Sequence, residues 1–110
     1  MHTITVSFEL EEVHFENHGD HRKLSEGERV EEMLRFALRN VDIFDFYMYR
    51  VDHSTTLTTW YITMVVPETE IEEWQFTVED AIFIPTLNDL WGFDRGSIFY
   101  MKQGSILRHG

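Results

Sequence analysis

A chain of 110 residues is long enough for one hydrophobic core and too short for two cores that fold separately. Hydrophobic residues make up 43% and aromatics 15%, which excludes a disordered chain, and the lack of cysteine excludes disulfides and thiolate metal sites. The formal net charge of −11 opposes direct contact with nucleic acid or an anionic membrane and favours a basic partner.

The opening MHTITVSFEL has neither a basic n-region nor an apolar core before Glu9, so it does not read as a signal peptide. No apolar run approaches the roughly 20 residues that cross a bilayer. The expectation is one soluble, cytoplasmic domain over residues 1–110.

In chain order, Ile4, Val6, Phe8 and Leu10 alternate with polar residues, the period of a half-buried strand. The alternation slips after Leu10, because the next apolar residues are Val13 and Phe15, and a bulge or strand end at Glu11–Glu12 accounts for the slip. The polar stretch 16–23, with Gly19 inside it, then reads as a loop. Ser25 and Glu28 have capping-box spacing. After them Val30, Met33, Leu34, Ala37, Leu38 and Val41 form an apolar stripe, which predicts one principal amphipathic helix over about 25–40.

Residues 43–51 and 57–66 are rich in β-branched and aromatic side chains and flank a hairpin loop at 52–56. The second of these strands is apolar on both faces, as a central strand would be, and Pro67 ends it. Residues 67–74 fit either a short helix or an acidic loop. Residues 75–84 fit either a strand or a helix, since Phe76, Val78, Asp80, Ile82 and Ile84 alternate while Thr77 and Asp80 have capping spacing. Thr86 to Trp91 reads as a helical turn stopped by Gly92, and the chain closes on two β-like runs around Gln103-Gly104, a hairpin signal. The sum is an α+β domain: an antiparallel or mixed sheet of five or six strands with the principal helix on one face.

Two stretches carry candidate chemistry. The segment HFENHGDHR places His14, His18 and His21 beside acids, a donor set suited to a divalent metal such as zinc. The spacing lacks the Glu that follows the first His in metalloproteases, and polar loops collect such residues for turn geometry alone. A small metal- or histidine-dependent enzyme using this loop, with His53 nearby, is the alternative reading of function. No nucleophile elbow, phosphate-binding glycine loop or dinucleotide fingerprint is present.

The acidic half is the more informative feature. Six of the nine basic residues lie between Arg22 and Arg50, whereas 51–94 contains nine acids and no Lys or Arg. Glu68, Glu70, Glu72 and Glu73 crowd around Trp74, and Glu79 and Asp80 follow. Such a cluster has a Coulombic cost that a basic surface relieves, while steering the encounter. A solvated helix face is the plain alternative. Trp91, Phe93, Phe99 and Tyr100 fit the edge of the core better than an interface anchor.

The favoured expectation is a non-enzymatic acidic binding protein with no cofactor. It would inhibit or neutralise a basic, nucleic-acid-acting protein by mimicking nucleic acid, as a phage-type defence or host inhibitor or a toxin-immunity protein does. Homo-oligomerisation through the C-terminal hairpin is a further possibility.

Overall fold

A computed structural model describes residues 2–14, 26–83, 97–102 and 104–109. In it a five-stranded antiparallel sheet carries two helices on one face. Along the chain these are β1 (Thr3–His14), α1 (Glu26–Ala37), β2 (Asp45–Asp52), β3 (Leu57–Pro67), α2 (Ile71–Phe83), β4 (Ser97–Met101) and β5 (Leu107–His109). The sheet order is β2-β3-β1-β4, with β5 also on β1. The first six elements in this order form a split βαβ (ferredoxin-like) arrangement, which hosts many unrelated functions.

β1 is the centre of the sheet and differs from its expected course. It does not stop or bulge at Glu11–Glu12: the ladder with β3 runs unbroken from Thr3↔Pro67 to Val13↔Leu57. The period of two persists, and the apparent slip arises because two inward positions are polar. Val6, Phe8, Leu10, Glu12 and His14 all face the helices and are all buried. Opposite them, Trp60, Ile62, Met64 and Val66 form the inward face of β3.

The helix on 26–37 matches its apolar stripe: Val30, Met33, Leu34, Leu38 and Val41 are buried in the core. It ends earlier than expected, with tightened turns in which the Arg39 N–H bonds the Phe36 carbonyl and the Val41 N–H bonds the Leu38 carbonyl. The single principal helix is corrected to two of similar length. After a 3-10 turn at Glu68–Glu70, residues 71–83 are helical. Ile71, Trp74 and Val78 recur at helical spacing and point into the core, which overrides the loose alternation of 75–84.

The C-terminal hairpin is also corrected. β4 and β5 do not pair with each other; both pair antiparallel with β1, as two pieces of one edge strand. Lys102 and residues 104–106 lie outside the ladder between Leu10↔Met101 and Ser7↔Leu107, opposite Phe8 and Glu9. The Lys102 N–H bonds the Glu9 carbonyl, and Gly104 turns the loop with φ 71°, the left-handed region that a side chain disfavours. Phe99 is buried on β4, so it belongs to the core; Trp91 and Phe93 lie outside the described residues, as do the Ser25 cap, the loop at 16–23 and the turn at 86–91. Among the described residues no helix is long and apolar enough to cross a membrane.

Trp74 and Phe76 of α2 have opposite roles. Trp74 is 0% exposed, its ring edge-on to Phe8 at 6.0 Å and its Nε1–H directed at Met64 Sδ, whereas Phe76 is 70% exposed. Urea denaturation of Trp74→Ala is expected to show a loss of about 3–5 kcal/mol. Phe76→Ala is expected to stay within about 0.5 kcal/mol of the parent.

Candidate functional site

Three places on this framework carry chemistry: a buried polar chain at one end of the inward face, the outward face of α2, and the sheet face that the helices leave open.

The polar chain grows from the register. Glu12 stands directly across from Thr58 on β3, and Thr58 across from Asp52 on β2. Trp60 Nε1 donates to Glu12 Oε1 at 2.9 Å, and His14 Nδ1 lies 3.5 Å from Glu12 Oε2. His14 Nε2 is 2.9 Å from Thr58 Oγ1, which in turn donates to Asp52 Oδ1 at 2.8 Å. Since the single hydroxyl proton of Thr58 goes to Asp52, Nε2 must be protonated and donate to Thr58. Glu12 is 1% exposed, so its carboxylate takes the Trp60 indole N–H in place of water, with the His14 ring beside its other oxygen.

A carboxylate, an imidazole and a hydroxyl in sequence suggest nucleophilic catalysis. The geometry does not supply it: Thr58 is buried, and its hydrogen is committed to Asp52 rather than to His14 as base. What the chain does is structural. A one-residue slip of β1 against β3 would leave each of these groups without its partner, so the cluster pins the register.

Of the three histidines of the expected loop site, the structure describes His14. His14 is the last residue of β1, turned into the core with both ring nitrogens engaged. His18 and His21 lie outside the described residues. His53 bonds Thr59, on the other face of β3 from Thr58, so it and His14 lie on opposite sides of the sheet. Among the described residues no group of three or more His, Asp or Glu side chains gathers to hold a metal.

On α2, the positions between the core contacts face outward. Glu72 and Glu73 are exposed one turn before Phe76, with Glu68 exposed in the preceding 3-10 turn. Glu79 is half-buried and accepts from Gln75 Nε2, which leaves Gln75 Oε1 to accept from Arg108 Nη2 at 3.2 Å. Glu70 is half-buried, and its Oε2 is sealed from solvent with no hydrogen-bond partner. The backbone of Asp80 continues the helix. Trp74, expected within the acidic surface, is instead beneath it; Phe76 is the aromatic that the face presents. Its i+4 spacing from Glu72 was available as a signal, but only once 71–83 is known to be helical.

The open sheet face presents Tyr47 and Tyr49 of β2, 69% and 60% exposed. Tyr49 stacks on Tyr61 directly across the ladder, with centroids 4.9 Å apart and planes 15° apart. The charges on this face are locally answered: Glu9 pairs with Lys102 at 3.4 Å, and Tyr100 donates to Glu11. That hydrogen bond, burial and the nearby Glu11 charge together hold the Tyr100 phenol above its ordinary value of about 10.

No protein-family model, curated protein or solved structure matches the chain.

A double-mutant cycle of Glu12→Ala and His14→Ala, read by urea denaturation, is expected to give a coupling of about 1–3 kcal/mol. For Tyr100, the folded state favours the neutral phenol. Its contribution to stability is therefore complete below pH 10 and is lost as pH rises through the raised value. Ultraviolet titration is expected to place the Tyr100 transition above 10, and Glu11→Gln is expected to lower it.

Proposed function

We propose that this protein is a non-enzymatic acidic binding protein that docks a basic protein on the outward face of α2, and by occupying it inhibits or neutralises it. The observation that carries this reading is Phe76, 70% exposed one turn after the exposed Glu72 and Glu73, on a helix whose Ile71, Trp74 and Val78 are buried. Keeping a phenylalanine in water forgoes about 1.5–3 kcal/mol of burial. An aromatic anchor surrounded by charge is the usual make-up of an interface centre and its rim.

The charge distribution supports the same conclusion. Residues 51–94 contain no Lys or Arg; among the described residues Arg50 lies 3.9 Å from Asp52, and Arg108 reaches Gln75 rather than a carboxylate of α2. A basic surface brought to Glu68, Glu72 and Glu73 relieves their mutual repulsion. Surfaces of that charge belong in many cases to enzymes and toxins that act on nucleic acid. The acidic face then stands in for the phosphate backbone, which suits an inhibitor or immunity role.

The test is affinity capture from the native host, identification of the partner, and calorimetric titration of the purified pair. Combining Glu72→Lys, Glu73→Lys and Phe76→Ala is expected to weaken binding by about a hundredfold or more while moving the melting temperature by only a few degrees. Affinity of the parent protein is expected to fall as salt rises. Unchanged affinity in the triple variant rules this face out.

A further inference from the structure

We infer that the free edge of β2 joins two copies of this chain, strand against strand, about a two-fold axis through Met48. Among the described residues β2 has one strand neighbour, β3, and its eight residues contain neither Pro nor Lys. Proteins normally blunt an edge of this length with Pro or with charges, because its unpaired backbone groups template another strand; the charges here are Asp45, Arg50 and Asp52, and none meets a like charge in the pairing below.

The backbone phase identifies the groups that face outward. The His53 N–H bonds the Leu57 carbonyl, and bonded positions in an antiparallel ladder recur every second residue, so the odd-numbered residues of β2 bond β3. The even-numbered residues, Met48 among them, turn their N–H and C=O away from it. Phe46 agrees with this phase: its N–H is taken by the Asp45 side chain, Oδ1 at 3.0 Å, rather than by β3.

A strand that pairs with its own copy about Met48 overlaps along its whole length and is self-complementary. On the open face Tyr47 meets Tyr49 of the second copy, and Asp45 meets Val51. On the helix face Phe46 meets Arg50, and Met48 meets itself. No like charges oppose, and the two most exposed tyrosines become an aromatic cross-strand pair, made twice by symmetry. A two-residue slip would instead set Phe46 against Asp52.

The charge distribution fits the same axis. α1 and β2 together hold six acids and three arginines, with Arg39 just after α1 and the Arg35 guanidinium 4.9 Å from the Phe46 ring centroid, whereas 68–80 holds six acids and no basic residue. The acids of α2 lie towards β4 and β5, where Arg108 reaches Gln75. Two chains of charge −11 therefore meet by their less acidic sides. The α2 faces stay open, so this inference stands apart from the function proposed above.

Sedimentation equilibrium of the parent protein is expected to show a dimer that persists or tightens as salt rises, the opposite of binding to a basic partner. The Met48 amide is expected to exchange with solvent slowly, and more slowly at higher protein concentration. Tyr47→Lys with Tyr49→Lys sets like charges across both pairs and is expected to weaken the dimer about tenfold or more. Tyr47→Lys with Tyr49→Glu sets opposite charges there and is expected to retain it. A monomer at every concentration, a rapidly exchanging Met48 amide, or equal dimerisation of the two variants overturns the proposal. Circular dichroism confirms that each variant is folded, and the Met48 measurement needs no variant.

Discussion

The burial of the Glu12 carboxylate is the constraint around which the sheet is arranged. A carboxylate this far from water is tolerable only when neighbouring polar groups replace its hydration, and those groups come from two strands. Trp60 reaches it diagonally from β3, while His14 reaches it from two residues further along β1. Thr58 and Asp52 continue the chain of bonds outward to β2. Hydrophobic burial along Val6, Phe8 and Leu10 would tolerate a two-residue shift far better than this cluster does. The apolar residues supply the drive to pack, and the polar ones select a single pairing.

With that register set, the two faces of the sheet differ in chemistry. The inward face takes both helices and nearly all the large apolar side chains. The outward face has tyrosines, threonines and three carboxylates: Glu9 pairs with Lys102, Glu11 accepts from Tyr100, and Asp45 accepts from the Phe46 N–H. A face so built is neither a second core nor a strongly charged surface. Depletion of unanswered charge together with enrichment in tyrosine is the composition of protein interfaces. Net negative charge is greater on α2, which has four acids and no Lys or Arg, than on α1, which has four acids and two arginines.

That imbalance unites the two proposed surfaces. Pairing through β2 places the α2 faces at the outer ends of an extended sheet, each available to its own partner. A basic target with two sites, or two targets, would then be held with an avidity that one acidic face lacks. The β2 edge and the α2 face answer oppositely to salt, because one gathers like-charged chains and the other gathers opposite charges.

Much of this architecture is legible in the residues themselves, for a physical reason. α1 announces itself because a stripe such as Val30, Met33, Leu34 and Leu38 is set by the helical repeat alone. β3 does so by its β-branched and aromatic run, and the net charge by counting. Features set by local geometry and composition need no partner strand. The path of β1 beyond Leu10 does need one, because Glu12 and His14 look like a break until Trp60 and Thr58 lie opposite. The helix at 71–83 is likewise settled by the pocket that receives Trp74 beside Phe8, against an alternation that reads equally well as a strand. The split of the last strand into β4 and β5 depends on how β1 pairs with each piece. The candidate site divides along the same line: the wealth of acid in 51–94 is local information, whereas the exposure of Phe76 in place of Trp74, and the loss of His14 to the core, are matters of which side of each element meets the sheet. Sequence alone determined the elements with a strong internal period and the charge they carry; tertiary structure decided every position where a polar group is buried or a ring exposed, because burial is a property of the neighbours and not of the residue.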